Sequence, residues 1–180
     1  CLQETGDYPG ARDLLVRALA IQEKALGAHH ADVAFSVNNL AALEIEQGNY
    51  GSAKALFERA LAIREKALGP THPLVAETVN NLATAHLGLG DYSEARPLLE
   101  RALTIAEASP SPNPQSIAGS LSNLANLLHD TGDYAGARLL YERALSIWEK
   151  TLGSEHRLVA TGLNNLAKLL KDMGDYASSR

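Results

Sequence analysis

"GNYGSAKALFERALAI", Gly48 to Ile63, is the stretch whose reading decides the fold. Its Ala53, Leu56, Phe57, Ala60, Leu61 and Ile63 recur at steps of three and four, so they form one apolar stripe along a helix. Gly48 supplies a left-handed residue that ends a preceding helix, and Asn49 is expected to cap the next one. The wording returns as "GDYPGARDLLVRALAI" from Gly6, "GDYSEARPLLERALTI" from Gly90 and "GDYAGARLLYERALSI" from Gly132, a period of 42 residues. Repetition at such a period inside one chain marks a stacked helical array.

Each unit reads as two helices. In the unit around Gly48 the first runs from about Val33 to Gln47 and the second from about Tyr50 to Leu68. Small Ala at fixed places lets the pair approach closely, while Leu, Phe and Tyr fill the remaining volume. One hairpin cannot bury its own stripe, so neighbours must stack. Complete units span about 7–48, 49–90, 91–132 and 133–174 within a single array over 1–180. Cys1 to Thr5 read as the tail of a first-type helix and Asp175 to Arg180 as the start of a second-type one. The array is therefore expected to be a piece of a longer one, with apolar faces that favour end-to-end self-association.

These residues resemble the tetratricopeptide repeat: Leu40, Ala41, Gly48, Tyr50, Ala53, Phe57 and Ala60 fill its signature places. The period exceeds the usual length of about 34 residues. With "NNLA" and "ALAIREKALGPTHPLVA" it is similar to the repeats of kinesin light chain and its bacterial and fungal relatives. The resemblance implies an all-α, right-handed solenoid of antiparallel helix pairs whose first helices line a concave face. It departs at the aromatic usual in the last turn of the first helix, where Glu44, His86, Leu128 and Leu170 stand. It departs again in the third linker, where "ASPSPNPQ" replaces the "KALGPTHP" pattern and is expected to end its helix early.

Four segments, from Ser36, Thr78, Ser120 and Gly162, place polar residues inside an apolar run. Asn is a poor helix former, because its side chain competes for backbone hydrogen bonds. If Val37, Leu40 and Ala41 mark the core, steps of about 100° put Asn38 and Asn39 on the opposite side. The resemblance places that side in or beside a groove. An amide offers a donor and an acceptor, and so pairs with the backbone of an extended peptide. Asn38, Asn80, Ser122 and Asn164 form the first column, the favoured site of peptide contact. Asn39, Asn81, Asn123 and Asn165 form the second, which either binds peptide or bridges adjacent helices. Around them Phe35 and Ile45 are expected to meet apolar ligand side chains. Polar character grows through Asn126 and His129 to Lys168 and Lys171, which should meet an acidic group.

Other recurrent residues have plainer roles. His30, His72 and His156 are spread one per unit, too far apart for one metal, and are expected to order the turn before a first helix. Arg17, Arg59, Arg101 and Arg143, with Glu23, Glu65, Glu107 and Glu149, should pair along the stack. Trp148 stands where other units have Gln22, Arg64 and Ala106, and serves either as an exposed anchor or as cover for the next linker.

Composition narrows the function. The net charge of −5 and 5% aromatic content give no basic surface or stacking platform for nucleic acid. No apolar run reaches the roughly 20 residues of a membrane helix. Cys1 is the single cysteine, so no internal disulfide forms. No nucleophile, phosphate-loop or metalloprotease motif is present. The expectation is a cytoplasmic, non-enzymatic scaffold without cofactor or metal, binding a protein or peptide segment. The alternatives are a regulatory array of a larger signalling ATPase or caspase-like protease, and a structural self-associating array.

Overall fold

The computed structural model describes the backbone of residues 8–178 and the side chains of residues 8–174. Cys1 and the helix tail expected over Cys1 to Thr5 lie outside these. Eight helices fill the described residues: α1 Tyr8–Leu26, α2 Ala31–Glu46, α3 Tyr50–Leu68, α4 Pro73–Leu89, α5 Tyr92–Ala108, α6 Pro114–Asp130, α7 Tyr134–Leu152 and α8 Arg157–Ser178. Even-numbered helices are the first members of the repeat and odd-numbered ones the second. The chain forms two compact units, one ending at Ala95 and the other beginning at Arg96.

The turn inside each pair follows from glycine. Gly48 adopts φ +76°, its N–H donates to Ile45 O at 2.9 Å, and Asn49 N–H donates to Glu44 O at 2.8 Å. These two bonds satisfy carbonyls that the helix end would otherwise strand. Asp133 then caps α7, accepting from Gly136 N–H at 2.9 Å. Asn49 departs from the expected capping role. Its side chain turns back and donates to Glu44 Oε2 at 2.9 Å, leaving α3 without a side-chain cap. Glu44 occupies the aromatic place, is 4% exposed, and accepts a second bond from Arg12 Nε at 3.1 Å. A carboxylate tolerates that burial because both partners reach it.

The linker histidines do order the turn. Nδ1 of His30, His72 and His156 accepts from Asp32 N–H at 3.3 Å, Leu74 N–H at 3.2 Å and Leu158 N–H at 3.2 Å. In the proline-rich linker Asn113 takes this role, accepting from Gln115 N–H at 3.0 Å, and Pro114 opens α6. As expected from its prolines, α5 is short, with 17 residues against 19 in α3 and α7.

In the first unit Leu19, Val33, Ala34, Val37, Leu40, Ala60 and Ile63 form one core cluster. In the second unit one cluster centres on Ala144 with Trp148 and another on Tyr141 with Leu169. Arginine–glutamate pairs link consecutive copies: Arg59 to Glu23, and Arg143 Nη2 to Glu107 Oε1 at 2.5 Å. Both pairs are partly exposed and contribute at most about 1 kcal/mol each. Trp148 is buried, so of its two expected roles the structure selects cover. One turn expected from the repeat is missing. Helix α8 continues through Gly174 to Ser178, where the sequence predicts a break followed by a second-type helix. Within the described residues nothing folds back onto α8 there, and Gly inside a helix costs only about 1 kcal/mol.

Candidate binding groove

Helix α2 packs against α1, α3 and α4, so it is covered on three sides. Its accessible arc is correspondingly narrow. Phe35 is exposed, Asn39 and Ala42 are half-buried, and Glu46 is exposed, at successive steps of four, three and four residues. Helix α4 repeats the sequence of exposures at Glu77, Asn81, Thr84 and Gly88. In the second unit, helix α6 carries Gly119, Asn123, Asn126 and Asp130 at the equivalent places, half-buried or exposed.

This arrangement corrects the helical-wheel placement of the first amide column. Asn38 is 5% exposed and Ser122 7%, so neither faces the groove. Asn164 occupies the same place on α8 and is exposed. Asn80 is half-buried. The wheel assumed one buried stripe, but a first-type helix also packs against the next copy. The second column lies on the accessible arc: Asn39, Asn81, Asn123 and Asn165 are all half-buried.

In the first unit the arc borders an apolar cleft with room for about 220 Å³, lined by Ala42, Ile45, Glu46, Phe57, Asn81 and Thr84. Phe57 forms part of its lining and is 1% exposed. Neighbouring Gly88 has a packing role: a Cβ there would lie 2.3 Å from the Tyr50 ring. The cleft walls are mainly apolar, with Asn81, Thr84 and Glu46 as the polar lining, a geometry suited to an aliphatic side chain beside a peptide bond.

In the second unit the corresponding positions are polar and bonded to each other. Tyr141 OH donates to Asn126 Oδ1 at 2.5 Å. His129 is buried and its Nε2 lies 2.8 Å from Asp172 Oδ2, joining α6 to α8. The expected groove role of His129 is therefore corrected, because its ring is enclosed and already partnered. Lys168 and Lys171 are exposed and make no ion pair among the described residues. Burial pushes the Tyr141 hydroxyl up to about 12, and the Asp130 charge adds to the rise. A raised folded value means stability is intact below the unfolded tyrosine value of about 10 and falls as pH rises towards 12. Ultraviolet titration should show one tyrosine ionising well after the others, with the transition lost in Tyr141→Phe.

Among the described residues no group of three or more His, Cys, Asp or Glu could hold a metal, and no helix is long and apolar enough to cross a membrane.

The tetratricopeptide repeat model matches residues 1–66, 32–108 and 116–180. The chain belongs to the tetratricopeptide repeat family. Its fold class is the all-α helical repeat expected from the sequence. Tetratricopeptide repeats are a protein-interaction fold. The crystal structure of BtubC (BKLC) from P. vanneervenii is similar over 97% of this chain and 70% of that one, with 25% identity and a TM-score of 0.80. A putative kinesin light chain from Podosopora anserina, with nearly identical TPR-like repeats, is 30% identical, covering 98% of this chain and 83% of that chain at a TM-score of 0.76. The Sgt2 TPR domain from Aspergillus fumigatus shares the fold alone, at 20% identity over 81% of this chain and 82% of that one and a TM-score of 0.60. No curated protein matches the sequence.

Proposed function

We propose that this tetratricopeptide array is a non-enzymatic scaffold that binds an extended segment of a partner protein along the accessible arc of its first-type helices. One observation carries the reading: the cleft bounded by Ala42, Ile45, Phe57, Asn81 and Thr84. An aliphatic side chain of the segment enters it, while Asn81 pairs with the segment's backbone. An acidic group of the ligand belongs beside Lys168 and Lys171, whose charges no described residue neutralises. Cytoplasmic location is part of the same proposal.

The test begins with peptides selected from a random display library on the purified chain. Thr84→Trp fills the cleft from a half-buried position, and Asn81→Ala removes the amide. Each is expected to weaken the selected peptides at least about tenfold, roughly 1.4 kcal/mol, with helicity retained. Asn38→Ala, at a place enclosed by protein, should leave affinity unchanged. Equal affinity in Thr84→Trp and the parent would remove the cleft from the binding site.

A further inference from the structure

The first unit holds a second recess that shares no residue with the cleft. It has room for about 350 Å³ and is lined by Ala28, His29, Arg59, Ala62, Ile63 and Lys66. Arg59, Ala62, Ile63 and Lys66 follow one another at steps of three, one and three, so they occupy one face of α3. Ala28 and His29 belong to the α1–α2 linker, which completes the lining. Ile63 is 3% exposed and joins the core cluster of this unit, so the recess reaches down to the core.

This opening does not depend on where the chain begins. The next linker carries Pro70 and Thr71 at the places of Ala28 and His29, and both stay exposed although α1 and α2 precede them in the same unit. The floor is particular to this copy. Ala28 stands where later linkers have Pro70 and Pro112, and Ala62 where α5 and α7 have Thr104 and Ser146. The two alanines are smaller than any of these, which opens the space above Ile63.

Charge selects the occupant. The lining holds no acidic residue, while Arg59, Lys66 and His29 surround the apolar floor. Glu23 of α1 accepts one bond from Arg59 Nη2, yet a guanidinium has five N–H donors. Lys66 and His29 are exposed and make no ion pair among the described residues. The ammonium adds three donors and a neutral imidazole one. We propose that this recess docks an acidic segment of a partner protein, in which a carboxylate sits beside an aliphatic side chain. The carboxylate meets Lys66 and the remaining N–H groups of Arg59, and the aliphatic group covers Ala28, Ala62 and Ile63. A segment so held leaves the cleft free, so the scaffold can engage two segments at once.

The probes are acetyl-Leu-Glu-amide and its uncharged isostere acetyl-Leu-Gln-amide, titrated into the isotope-labelled chain and followed by backbone amide shifts. The glutamate probe should move the signals of Ala28, His29, Ala62 and Lys66 with a Kd on the order of 1 mM. The glutamine probe should bind at least about tenfold more weakly. Lys66→Glu, at an exposed position where the fold should survive, is expected to weaken the glutamate probe at least about tenfold. Thr84→Trp, which fills the cleft, should leave its affinity unchanged, so the two sites fail separately. Equal binding of the two probes, shifts confined to the cleft, or no shift at about 10 mM probe would each overturn the proposal. Inorganic phosphate bound there as tightly as acetyl-Leu-Glu-amide would show selection by charge alone, and would overturn the peptide assignment.

Discussion

Replacing Trp148 by Ala is expected to destabilise the second unit by about 3–5 kcal/mol, the cost of deleting a buried large aromatic and leaving its cavity. Trp148 is 4% exposed and packs with Ala118, Leu121, Ala144 and Val159. Its ring lies over Gly162, where a Cβ would approach Trp148 Cζ3 to 3.2 Å. The other copies carry Ser36, Thr78 and Ser120 at that place, opposite Gln22, Arg64 and Ala106. The largest side chain thus faces the smallest. Gly162→Ser should therefore cost about 1–2 kcal/mol in the parent through overpacking. In the Trp148→Ala background it should cost much less, because the space is open. Urea unfolding of the four chains in that cycle measures the coupling. Strictly additive losses would show that Trp148 and Gly162 do not share the space.

The second large effect concerns Arg64, which is 2% exposed. Its Nη1 donates to Thr78 Oγ1 at 2.6 Å and to Leu74 O at 2.7 Å, and lies 3.3 Å from Glu77 Oε1. A buried guanidinium persists only when its donors are answered. Arg64→Ala removes the packed stem as well as the charge, and should cost about 3 kcal/mol. Arg64→Met keeps most of the volume. Leu74 O still accepts from Thr78 Oγ1 at 3.0 Å, so no carbonyl is stranded. That variant should lose less than about 1.5 kcal/mol. Thr78→Val leaves the charge buried with one acceptor fewer, and should cost about 1.5–3 kcal/mol. Denaturant midpoints ranking Ala and Val well below Met would agree with this account. A Met variant as unstable as Ala would assign the stability to the charge instead.

Trp148 and Arg64 occupy one column of the repeat, and their burial was not legible from that column. Gln22, Arg64, Ala106 and Trp148 share neither size nor polarity, so the column looks like a variable surface. Its partner column, Ser36, Thr78, Ser120 and Gly162, varies in answer to it. Only contact between successive copies shows that the two belong together. The amides were misplaced for the same reason. A wheel drawn on α2 alone gives Asn38 and Asn39 similar prospects, yet Asn38 is 5% exposed and Asn39 lies on the accessible arc.

By itself the sequence determined the 42-residue period, the helix pairs, the glycine turns, the linker histidine caps and the alanine–leucine core. Each of these depends on residues within a few turns of one another, where backbone geometry and side-chain spacing are enough. Tertiary structure alone decided which face of each first-type helix stays open and where an Arg and a Trp can be buried. Those outcomes depend on neighbours about 14 residues or more away in sequence, as in the Arg64–Thr78 pair. The stacking of copies turns one amide inward and leaves its neighbour facing the groove, and no property of Asn distinguishes the two beforehand.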